Sequence, residues 1–178
     1  MAYEQLRLSR SLSLLELALS LLLLCIFASL FLHRVMIMTV AAEDRYLALA
    51  INQIRAELMI WSAEKLIDQR YEEIAALSGE NPVGLAFQPP ANYAGTVADV
   101  DEVDMAPGSW LFETDTGRLV YRVTNTDYFH NESGALPLVR LDFVLGYEDR
   151  DHDGRYDQGR DVPRQLLVKV LDRYTWNY

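Results

Sequence analysis

The chain has 178 residues, 51% of them hydrophobic, and 26 acidic against 16 basic residues leave a net charge of −10. That balance argues against nucleic acid as a partner, because phosphate binding depends on clustered Lys and Arg. Cys25 stands alone, which excludes an intrachain disulfide.

Residues 1–11 carry Arg7 and Arg10 and precede an apolar run, Leu12–Leu32, whose sole ionisable group is Glu16. At about 1.5 Å per residue the run crosses a hydrocarbon core of about 30 Å. Residues 12–40 are therefore expected to form the transmembrane part of a helix, and 41–178 one soluble domain of about 140 residues. Arg7 and Arg10 should hold the short N-terminal side in the cytoplasm and place 41–178 across the membrane. A carboxylate at bilayer depth costs about 2.5–3.5 kcal/mol on insertion scales, and such groups pair with something or mark function. The other course open to Glu16, in an uncleaved signal anchor, is to sit near the interface and snorkel into water.

From 41 to 78 the helix is expected to continue without interruption. Leu47, Ile51, Ile54, Leu58 and Trp61 form one apolar stripe, and Glu43, Asp44, Arg45, Arg55, Glu57 and Glu64 fall mostly off it. Gly79, followed by Asn81-Pro82, is a stop signal. Such a stripe also fits a helical linker or a dimeric coiled coil. Residues 79–108 hold Pro82, Pro89, Pro90 and Pro107 with the acidic cluster Asp99, Asp101, Glu102 and Asp104, and read as a connecting loop.

Residues 109–178 read as antiparallel sheet. Ser109–Glu113 and Arg118–Val123 flank the turn Asp115-Thr116-Gly117, and Leu138–Tyr147 alternates apolar with polar positions. Gln165–Tyr174, nearly all apolar at its centre, reads as a more buried strand. Four strands packed on the helical stripe give an α+β fold with segregated elements.

Between the last two strands, Asp149, Asp151, Asp153, Gly154 and Asp157 match positions 1, 3, 5, 6 and 9 of the D-x-D-x-D-G calcium loop. The candidate metal set is Asp149, Asp151, Asp153, Arg155, Asp157 and Asp161, with Ca²⁺ as the ion; Glu148 is the other residue able to complete the shell. Position 12 is Arg160 rather than Glu and the flanks are strands, so this is no EF-hand. A solvated hairpin, in which Arg150, Arg155 and Arg160 offset the acids, is the competing reading, and His152 should point away from the cluster. No Walker, Rossmann-glycine, G-x-S-x-G or H-E-x-x-H pattern occurs, and a non-enzymatic protein is expected.

The segment Ser11-Leu12-Ser13-Leu14-Leu15-Glu16-Leu17 resembles the class III signal of type IV pilins and type II secretion pseudopilins. Ser11 stands where that family carries glycine, and Leu12 where it carries phenylalanine or methionine. The resemblance implies cleavage between Ser11 and Leu12 by a prepilin peptidase, methylation of the new N-terminus, and Glu16 as fifth mature residue with a role in assembly. It also implies a stalk helix packed on an antiparallel sheet, the bacterial inner membrane with a periplasmic C-terminal domain, and pilin-like subunits and assembly-platform proteins as partners. Calcium loops in the C-terminal region belong to major pseudopilins of that family. Gly108-Ser109-Trp110 and the acidic hairpin are similar to accessory proteins of mannose-sensitive haemagglutinin pilus biogenesis. The rival expectation is an uncleaved single-span accessory protein whose periplasmic domain binds a protein or another ligand.

Overall fold

The computed structural model describes residues 14–132 and 136–178. Two compact units divide the chain, Met1–Thr39 and Val40–Tyr178. Helix α1, Leu14–Ile67, contributes to both. In the first unit its leucines and phenylalanines are exposed, and among the described residues α1 is the helix long and apolar enough to cross a membrane.

In the second unit α1 buries one row of residues, Val40, Glu43, Leu47, Ile51, Ile54, Leu58 and Ser62. Steps of three and four keep this row on one face. Trp61 packs beside it, half-buried. The expected helix over 41–78 breaks instead after Ile67 and resumes as a short helix α2, Tyr71–Ala76. Gln69 takes a left-handed φ of 59°, Arg70 N–H bonds Lys65 C=O at 2.8 Å, and Gln69 N–H bonds Leu66 C=O at 3.2 Å. These are the paired bonds of a Schellman cap, here built on glutamine rather than glycine.

The expected loop 79–108 also contains structure. Strand β1, Tyr93–Val97, is followed by a single 3₁₀ turn, Val100–Glu102. Five further strands follow, with a second 3₁₀ turn, Thr126–Tyr128, before the third of them: β2, Trp110–Glu113; β3, Arg118–Arg122; β4, Phe129–Asn131; β5, Leu138–Glu148; and β6, Val162–Val170. Strand β7, Tyr174–Trp176, is the last. The main sheet has the order β1-β2-β3-β5-β6, and β4 pairs with β7 in a separate two-stranded sheet. The sheet is mixed rather than antiparallel, because β1 runs parallel to β2. The chain between them passes over the sheet and leaves Val100 and Met105 buried there.

Alternation within the strands puts Trp110, Phe112, Leu119, Tyr121, Leu141 and Phe143 against α1, in the main core with Leu47, Ile51, Ile54 and Leu58. Each such aliphatic side chain contributes about 1.5–3 kcal/mol on burial. The opposite face is covered too: Val100, Met105, Leu111, Val120 and Leu138 form a second apolar cluster. The expectation of one more buried strand over Gln165–Tyr174 fails: β6 ends at Val170 and is an edge strand with Leu167 44% exposed and Lys169 exposed, and Tyr174 begins β7 in the other sheet.

Candidate functional site

The connection from β5 to β6 is built from its own carboxylates. Asp161, only 5% exposed, accepts N–H bonds from Arg150 at 3.0 Å and Asp157 at 2.8 Å, which closes the base of the loop. Asp149 accepts from His152 N at 2.7 Å and Gly154 N at 2.8 Å, and Asp153 accepts from Arg155 N at 2.7 Å. His152 and Gly154 both take left-handed φ values, 62° and 78°, which turn these two N–H groups back onto Asp149. Those N–H bonds hold the Asp149 carboxyl below the usual carboxylate range, with the Gly154 bond the largest contribution. Tyr147, desolvated and close to Asp149, Asp161, Asp153 and Asp157, has its phenol pushed up.

Of the six residues in the expected metal set, Asp149, Asp151 and Asp153 bring one carboxylate oxygen each within 4.8 Å of one another. The other three do other work. Asp161 is turned inward to the loop's backbone, Arg155 gives its N–H to Asp153, and Asp157 lies 3.7 Å from the Arg160 guanidinium. Glu148 pairs with Arg164. Arg160, standing where a calcium loop would place its last carboxylate, ion-pairs with Asp151. Three converging hard oxygens suit a divalent cation such as Ca²⁺. An ion taking all three would compete with the Arg160 guanidinium for the Asp151 charge. His152 is exposed and outside the cluster.

Glu16 lies in the first turn of α1 and is exposed. Ser11 and Leu12, where cleavage is expected, lie outside the described residues.

A buried residue that the sequence reading misplaced is Glu43. It is 8% exposed and sits in the row that faces the sheet. Its Oε1 accepts from Tyr121 Oη at 2.9 Å and Thr124 N at 2.6 Å, and its Oε2 from Asn125 N at 2.9 Å and Nδ2 at 2.6 Å. Burial first, then the Glu43 charge, raises the Tyr121 phenol well above its ordinary range. Alongside, Trp110 Nε1 donates to Tyr46 Oη at 3.2 Å, and Tyr46 donates to Ala91 C=O at 3.0 Å. This network ties α1 to β3 and to the loop before β1; with every group satisfied inside the domain, its role is structural. The signal was available, since Glu43 precedes Leu47 and Ile51 at i, i+4 spacing. The chain matches no protein-family model, no curated protein and no solved structure.

Proposed function

We propose that the chain is a pilin-like subunit, a minor pilin or pseudopilin, of a type IV pilus or type II secretion filament in the bacterial inner membrane. The observation that supports this reading is α1 itself. One helix holds a membrane-length apolar stretch with a carboxylate in its first turn and, further along, the buried row that covers the sheet. In this reading a prepilin peptidase cuts before Leu12, the new N-terminus is methylated, and the domain 40–178 lies in the periplasm with no catalytic role. Glu16 then pairs with the Leu12 amine of a neighbouring subunit, offsetting the burial of both charges as the subunit leaves the bilayer. Calcium at Asp149, Asp151 and Asp153 belongs to the same reading.

The experiment is an intact-mass measurement on membrane-extracted protein, followed by Glu16→Ala. A chain starting at N-methylated Leu12, with the variant inserted in membranes but depleted from sheared filaments, is the expected outcome. An intact Met1, together with equal recovery of variant and wild type, would move the protein to the second reading. Serine at position 11 favours that second reading, in which the chain stays uncleaved and anchors a periplasmic binding domain.

A further inference from the structure

The sheet face opposite α1 carries, beside its apolar cluster, a cavity of about 500 Å³. Arg118 and Arg140 line it together with Asp99, Asp101, Asp115 and Asp172. The two arginines come from neighbouring strands: Arg118 on β3 is in register with Asp142 on β5, and Arg140 on β5 with Val120 on β3. They share one face because 118 and 120 are two residues apart.

The charges in this cavity are unevenly matched. Arg140 is answered by Asp172, whose carboxylate accepts the Arg140 backbone N–H at 3.1 Å and lies 3.7 Å from its guanidinium. Glu113, directly across from Arg118 on β2, is 5% exposed and commits its oxygens to Val100 N–H, at 3.0 Å, and the Thr116 hydroxyl. Arg118 is left over. With acidic residues in register on both flanking strands and a chain charge of −10, it forms no ion pair among the described residues, and its Nε is buried without a partner.

A planar guanidinium fits a two-oxygen acceptor, above all a carboxylate. A simple anion would be repelled by Asp99, Asp101 and Asp115 at the rim, whereas a ligand that also bears an ammonium group turns those same charges into attraction. Leu171, in the same lining, offers an apolar contact to a side chain. We propose that this cavity binds a small zwitterion of the α-amino acid type, with its carboxylate on Arg118 and its ammonium on the aspartate rim. A ligand of this kind supplies the carboxylate that no residue of the described chain offers the Arg118 guanidinium, and it leaves the net charge of the site unchanged. The site lies wholly within the domain 40–178 and does not depend on whether the chain is cleaved or enters a filament.

The test is calorimetric titration of the detergent-solubilised full chain with L-leucine, N-acetyl-L-leucine and L-leucinamide. L-leucine is expected to bind, with each blocked derivative weaker by about tenfold or more, the effect of deleting one charge-assisted contact. Arg118→Gln should weaken L-leucine by a similar factor while its melting curve shows a folded domain. Should that variant fail to fold, the three ligands on the wild-type chain still decide. No binding of L-leucine, equal binding of N-acetyl-L-leucine, or an unaffected folded Arg118→Gln variant would each overturn the proposal.

Discussion

Glu43 shows how a single charge can organise a core. Four donors converge on its carboxylate from Tyr121, Thr124 and Asn125. Glu43→Ala therefore strands the buried Tyr121 hydroxyl, worth about 1–3 kcal/mol when unsatisfied, and gives up three part-buried bonds from Thr124 and Asn125 at the junction of α1 and β3; the expected loss is about 3 kcal/mol in urea denaturation. Glu43→Gln keeps one acceptor oxygen and should cost less. The residue was readable in spacing and misread in chemistry: its position in the 43-47-51 row puts it inside, while its charge suggests the solvent face. At the acidic loop the converse holds. The Asp149-Asp151-Asp153 alternation was legible, but the inward turn of Asp161 was not, because its partners are the backbone N–H groups of Arg150 and Asp157. Calcium should raise the melting temperature of the protein, by about 2.7 kcal/mol of stabilisation at roughly 100 times Kd. Asp151→Ala with Asp153→Ala should abolish that gain. Arg160→Gln, which removes the cation already held by Asp151, should strengthen calcium binding. Unchanged melting of the wild type across millimolar calcium would identify the loop as a solvated hairpin.

Among the elements, the apolar stripe of α1 and the alternation of β3 and β5 were legible, although α1 ends at Ile67 short of the expected bound; β2, buried throughout, was marked by the turn that follows it rather than by a period. What escaped the sequence was held by backbone bonds or by position in the sheet. Gln69 ends α1 through carbonyl capping without a glycine or proline to announce it. Strand β1 is a short edge whose half-buried and exposed positions alternate, but an apolar Ala94 on the exposed side and Gly95 on the other hide that alternation in the sequence; Trp110 N–H bonding Asn92 C=O at 3.1 Å helps fix it. Strand β6 looked buried because an edge strand can carry apolar residues on both faces. The two sides of α1 make a direct test. Leu58 is 1% exposed in the core and Leu49 is 69% exposed. Leu58→Asp should unfold the domain, at a cost of about 4 kcal/mol or more, by placing an unpaired charge between helix and sheet. Leu49→Asp should stay within about 0.5 kcal/mol of wild type. Circular dichroism during denaturation distinguishes them; a folded Leu58→Asp protein would mean that this helix face packs against another copy instead of the sheet.

For the molecule as a whole, Val40–Tyr178 holds both apolar clusters and the Glu43 network. A chain beginning at Val40 should consequently be soluble, folded and monomeric by light scattering, whereas a coiled-coil linker would give a dimer. The same network also sets a schedule for synthesis. Thr124 and Asn125 follow Glu43 by 81 and 82 residues. At translation rates of about 5–20 residues per second, the carboxylate waits roughly 4–16 s for its partners to be made. For the first part of that interval the buried row of α1 has no sheet to cover it, and a nascent chain stalled before residue 93, where β1 begins, would display Leu47, Ile51, Ile54 and Leu58 as a chaperone-binding segment.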